Sequence, residues 1–140
     1  MKVEDFEFPE NRLYLKTHVW VKPHEDRFQL GITELGQSLS KEIVHIDLPE
    51  VGEVIPKDDL IIAYETIKAV SQISLPFEST VVSVNEDLWD DPNIINSDPY
   101  NIVMVEVKGD HEGTGLMTAS DAAAYYGELI AKERERYAGY

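Results

Sequence analysis

The chain has 140 residues and a mass of 15.9 kDa, enough for one domain with its own hydrophobic core. With 12 Lys and Arg against 27 Asp and Glu, its formal charge of −15 argues against non-specific nucleic-acid binding and against docking on anionic membrane. It has no cysteine, which excludes disulfides, Cys-ligated zinc, iron–sulfur clusters and a Cys nucleophile, so any thiol chemistry must come from an attached group.

The periodicity is mostly that of strands. Leu13, Leu15, Val19 and Val21 alternate with Tyr14, Lys16, His18 and Trp20. Phe28, Leu30 and Ile32 follow the same rule, as do Val44, Ile46 and Leu48. The runs 60–64, 81–84 and 102–107 are short, apolar and rich in β-branched residues, as buried strands are. Turn residues separate them at Pro23–Asp26, Pro49–Gly52, Pro56–Asp59 and Asp90–Asn93. Many short strands between turns predict a sandwich or barrel.

One helix is predicted, over about 119–137. Thr118-Ala119-Ser120-Asp121 resembles a capping box, and three alanines follow. Tyr125 or Tyr126, Leu129 and Ile130 share a face that can pack on a sheet, and Glu128 and Lys132 are spaced to pair. Gly127 inside this run costs about 1 kcal/mol of helix propensity. The whole reads as a single domain, with a β body over about 12–108 and the helix after it. No apolar run reaches membrane-spanning length and the first residues do not read as a secretory signal, so a soluble cytoplasmic protein is expected.

Most chemical motifs fail on inspection. His18, His24, His45 and His111 have no metal-ligand spacing and read as ordinary surface or strand histidines. Gly113-Thr114-Gly115 lacks the third glycine of a dinucleotide loop and reads as a turn. Asp87, Asp90 and Asp91 lack calcium-loop spacing.

Charge is more telling. From Ala69 to Val107 there are seven acidic residues and no Lys or Arg. Lys68 is the only basic residue between Lys57 and Lys108. Strand-like runs flank Glu65-Thr66-Ile67-Lys68-Ala69, which places Lys68 near the tip of a predicted hairpin. On those five residues alone, an ordinary exposed lysine is the simpler reading.

The wider pattern changes that weighting. Thr17-His18-Val19-Trp20-Val21, Gly31-Ile32-Thr33-Glu34, and Glu42-Ile43-Val44 through Asp47-Leu48-Pro49-Glu50-Val51-Gly52 stand in order. Glu65-Thr66-Ile67-Lys68-Ala69-Val70-Ser71 follows, then Val84-Asn85-Glu86, Leu88, Pro92, Ile95-Asn96 and Asp98-Pro99-Tyr100. Together these blocks resemble the H-protein of the glycine cleavage system and H-protein-like lipoate-binding proteins, from about Tyr14 to Val107.

The resemblance implies a mainly β lipoyl/biotinyl barrel-sandwich hybrid of two small antiparallel sheets with a C-terminal helix. It implies lipoate on Lys68, with Glu65, Thr66, Ile67 and Ala69 as the supporting loop. Ile67 and Ala69, rather than the methionines usual in biotin carriers, point to lipoate. The implied role is a non-catalytic, monomeric carrier on a swinging arm. Its partners would be a lipoate ligase or lipoyl transferase and the P-, T- and L-proteins. The alternative is a carrier for a heterodisulfide-reductase-like complex in sulfur oxidation; a further class is an unmodified interaction paralogue. The chain departs from the family at Asp58 and Ser79, where glycines are usual, and after Tyr100, where Asn101-Ile102-Val103 replaces a Gly-x-Gly-Trp turn.

Overall fold

A computed structural model describes residues 1–109 and 115–138, with side chains in the last helix up to Lys132. Residues 110–114, which include His111, Gly113 and Thr114, lie outside the described residues, as do Gly139 and Tyr140. Three antiparallel sheets form. Strands β1 (Lys2–Val3) and β2 (Phe6–Glu7) make a small N-terminal hairpin that the sequence reading did not include. The larger sheet has six strands: β3 (Leu13–Tyr14), β4 (Val19–His24), β5 (Arg27–Ile32), β7 (Val54–Ile55), β10 (Ser79–Val84) and β11 (Val105–Gly109). Its order is β3-β4-β5-β11-β10-β7. The third sheet is β6 (Ile43–Asp47), β8 (Leu60–Thr66) and β9 (Val70–Ser74), with β8 in the middle.

The two larger sheets bury the alternating residues that the periodicity singled out, except Val44, which is exposed because a bulge between Ile43 and His45 turns Ile43 inward in its place. Val19, Val21, Leu30, Ile32, Ile46, Ile62, Ile73 and Val107 belong to one core. Alternation puts Trp20 on the opposite face of β4, where it joins Tyr14, Phe8 and Leu35 in a second cluster. Helix α4 (Ala119–Ala138) closes that cluster with Ala122 and Tyr126. The N-cap half of the predicted capping box forms: Asp121 N donates to Thr118 Oγ1 at 3.2 Å. Lys132 and Glu128 pair at 3.3 Å.

Trp20 explains two of the sequence blocks. It stands across from Gly31 on β5. A Cβ at Gly31 would sit 2.1 Å from Trp20 Cζ2, so only glycine lets the indole lie flat there. Trp20 Nε1 donates to Pro99 O at 3.0 Å, and the Arg12 guanidinium lies 4.6 Å from the ring centroid while Arg12 Nη1 donates to Tyr100 O at 3.0 Å. The Asp98-Pro99-Tyr100 block is the carbonyl ledge that receives this stack.

Elsewhere the structure departs from periodicity. The run Leu13–Val21 is two strands, because the chain reverses in a turn where His18 takes φ +66° and Leu15 N bonds Val19 O at 2.9 Å. A strand over 102–107 starts only at Val105, because Asn101 N and Ile102 N are engaged by Asp98 O in a turn. Helices α1 (Glu34–Ser40), α2 (Asp87–Asp90) and α3 (Ile94–Ser97) were not expected. Gly127 has a packing reason: a Cβ there would meet Val3 Cγ1 at 3.3 Å, so the glycine lets α4 lie close to β1. Asp58 takes φ +66°, the conformation that glycine supplies at low cost in a turn. Ser79 is not a turn residue: it opens β10, is buried, and its Oγ has no hydrogen-bond partner among the described residues.

Candidate functional site: the Lys68 hairpin

Strands β8 and β9 form the hairpin, with Glu65 paired to Val70. The turn between them is held by one side chain. Thr66 N donates to Ala69 O at 2.9 Å, and Thr66 Oγ1 accepts from Lys68 N at 3.3 Å and Ala69 N at 3.2 Å. A hydroxyl that engages two successive amides stops the turn from opening. Thr66 is itself buried, which ties the turn to the sheet. Ile67 and Val70, beside the lysine, are 80% and 63% exposed. Lys68 is exposed, and its ammonium has no ion pair or hydrogen bond with any described residue. The result is a fixed backbone carrying a free amine.

The five residues singled out therefore divide by role. Thr66 locks the backbone. Lys68 presents the amine. Ile67 and Ala69 flank it in solvent, leaving room on both sides for an attached group. Glu65 is exposed on β8, opposite His45 of β6.

The surroundings are set by a residue whose part the sequence does not reveal. Asn96 on α3 accepts from Ile43 N at 3.2 Å and donates to Gln37 Oε1 at 3.0 Å and to Lys41 O. These bonds pin the end of α1, where Lys41 adopts φ +60°, to the start of β6. Ile43 in turn pairs with Thr66 at the hairpin tip. The sequence shows Ile95-Asn96 as a block but not its partners, which lie more than fifty residues away.

The acidic stretch lies on the same flank. Helix α2 packs on β6, and Asn93 Nδ2 lies 3.5 Å from Glu42 Oε1. Glu86, Asp87, Asp90 and Asp91 are exposed along this edge, and Trp89 is exposed among them. Among the described residues, no cluster of three His, Asp or Glu is placed to hold a metal ion. No described helix is long and apolar enough to cross a membrane.

At the far end, burial governs the titrating groups. Desolvation raises the tyrosine hydroxyl of Tyr100 to about 12 and pushes Tyr14 and Tyr126 higher still, so all three stay neutral donors. Tyr14 OH donates to Pro9 O at 2.6 Å, Tyr100 OH to Glu7 O, and Tyr126 OH to Leu15 O at 2.5 Å. Burial lowers the His18 imidazole below its ordinary value.

Known proteins resemble this arrangement. The family description "Glycine cleavage H-protein" matches residues 12–129. The chain is 40% identical over 136 residues to "Glycine cleavage system H protein 4" of Aquifex aeolicus, covering 95% of this chain and 80% of that one. It is 40% identical over 128 residues to the glycine cleavage system H protein of Bacillus licheniformis, covering 89% and 98%. The crystal structure of a glycine cleavage system H protein from Mycobacterium marinum superposes with a TM-score of 0.77 at 31% identity, covering 85% of this chain and 98% of that one. The match spans both the strands that build the hairpin and the helix that braces the opposite end, and the chain belongs to the glycine cleavage H-protein family.

Proposed function

We propose that Lys68 Nζ carries lipoate through an amide bond, and that the chain is the carrier subunit of a glycine cleavage system. The carrying observation is a solvent-exposed lysine, without an ion pair among the described residues, on a turn that Thr66 locks, within a chain of this family. The site fits the group: the amine is accessible, its neighbours leave space, and no described carboxylate competes for it. Lipoate would supply a dithiolane for thiol–disulfide chemistry, which a chain without cysteine lacks.

The chain's own contribution is presentation. An extended lysyl–lipoyl arm spans on the order of 10–15 Å by summed bond lengths. Holding its root on a fixed turn raises its effective concentration at a docked enzyme. Amide formation also removes the one positive charge between Lys57 and Lys108. A lipoate ligase or lipoyl transferase would attach the group, and the P-, T- and L-proteins would use it. The relatives named above all carry the glycine cleavage name, which favours this role over the sulfur-oxidation carrier and over an unmodified paralogue.

Intact mass after treatment with a lipoate ligase, ATP and lipoate tests the site. The parent gains one lipoyl group and Lys68→Arg gains none; a gain that persists in Lys68→Arg would sink the assignment. For the pathway, the lipoylated chain is incubated with glycine and the glycine-cleaving decarboxylase. A glycine-dependent mass gain supports the role, and its absence moves the reading to sulfur oxidation.

A further inference from the structure

The outer face of the three-stranded sheet carries a histidine–carboxylate pair beside the Lys68 hairpin. His45 Nε2 lies 2.9 Å from Asp47 Oδ1, and both side chains are more than half exposed. His45 stands across from Glu65 on β8, and Asp47 across from Ala63. With Tyr64 and Val70 these residues line a groove of about 190 Å³. The groove therefore begins on the hairpin itself, at Val70, two residues from Lys68, and at Glu65, three residues from it.

Three features make this pair chemically competent. A carboxylate at Nε2 selects the tautomer in which Nε2 holds the proton and Nδ1 is a free acceptor. No described residue occupies Nδ1. Opposed strand residues are about 5 Å apart, so an arm rooted at Lys68 and spanning on the order of 10–15 Å covers the distance.

Resting on the reading that Lys68 carries lipoate, we propose that His45, oriented by Asp47, is the proton acceptor for the arm's thiols when the arm is reduced. The proton leaves sulfur for His45 Nδ1. The products are a thiolate and an imidazolium whose Nε2–H remains paired with Asp47. The charged and titrating groups lining the groove with His45 are Asp47 on its own strand and Glu65 and Tyr64 on β8; α2, which packs against β6, carries Asp87 and Asp90. The carboxylates among them disfavour a nearby thiolate. Thiol activation on this face therefore depends on the proton that His45 accepts staying on the ring.

The test uses the lipoylated chain with its arm reduced by a phosphine. Parent, His45→Gln and Asp47→Asn are first checked by intact mass for one lipoyl group each. The rate of thiol alkylation by iodoacetamide is then followed from mildly acidic to mildly alkaline pH, with free dihydrolipoamide as reference. Near neutral pH the parent is expected to react up to about tenfold faster than His45→Gln, the change in thiolate fraction that one unit of thiol pKa produces. Asp47→Asn is expected to fall between them. In the parent, the NMR titration of the His45 ring should move when the arm is reduced, a change that a merely structural pair would not show. Equal alkylation rates in all three proteins, or a His45 titration indifferent to the arm, would overturn the proposal while leaving the lipoate reading intact. Failure of the parent to gain lipoate would overturn both.

Discussion

The two ends of the molecule are built on opposite terms. At the hairpin tip, Ile67, Lys68, Ala69 and Val70 all face solvent, and one threonine hydroxyl holds the turn. At the end under α4, Phe8, Tyr14, Trp20 and Tyr126 are all but completely buried, and the hydroxyls and indole N–H among them end on backbone carbonyls. Burying aromatic side chains stabilises that end strongly, and the donor-to-carbonyl bonds tie distant loops to it. The exposed tip contributes little to stability and can be left bare because the strands below it bury Ile62, Tyr64 and Ile73 in the core. A carrier needs this division: a fixed root and an uncovered attachment point.

Substitutions at each end should separate the two contributions. Lys68→Arg is expected to abolish lipoate attachment completely while leaving urea unfolding within about 0.5 kcal/mol of the parent, as surface changes do. A large loss of stability in that variant would break the contrast. Trp20→Ala should do the reverse, lowering unfolding free energy by about 3–5 kcal/mol in a denaturant titration. It removes the ring under Arg12 and opens space against Gly31. Tyr126→Phe is smaller, about 1–3 kcal/mol, because Leu15 O loses its donor and His18 N, now bonded to the hydroxyl at 3.0 Å, is left unsatisfied. Thr66→Val is expected to cost about 1 kcal/mol through loss of the turn bonds and to slow lipoate attachment by a ligase. Unchanged attachment kinetics would show that the locked turn is not what the ligase reads.

The smallest effect concerns pH. Burial holds the folded His18 imidazole below its unfolded value, which is about 6.5. Between those two values the unfolded chain binds more protons, so stability must fall as pH drops below about 6.5 and level off below the folded value. The slope of unfolding free energy against pH over that window should shrink in His18→Gln. A slope unchanged by the substitution would assign it to other groups.

Glycines show how residues read alone can mislead. In the sequence, Gly127 is a weakness in a helix; in the structure it is the point where α4 meets Val3. Ser79, which stands where a turn glycine is usual, proves to be a buried strand residue. Helix α1 left a faint trace, since Thr33 caps it by accepting from Gly36 N at 3.0 Å and Glu34 opens its first turn. Seven residues with a glycine inside give too little periodicity to identify a helix.

Local order carries what the sequence determines by itself. Alternation names the inner residues of β4 and β5, the Thr118 hydroxyl starts α4, and the ordered blocks identify the family and put Lys68 between two strands. These follow from neighbours along the chain and from spacing between them. In β6 a bulge breaks the alternation and buries Ile43 in place of Val44. The tertiary structure alone decides the sheet order β3-β4-β5-β11-β10-β7, the stack of Arg12 on Trp20, the anchoring of β6 by Asn96, and the placing of His45 opposite Glu65. Each depends on contact between segments far apart in sequence, where packing and hydrogen-bond satisfaction choose the partner and local preference has no say.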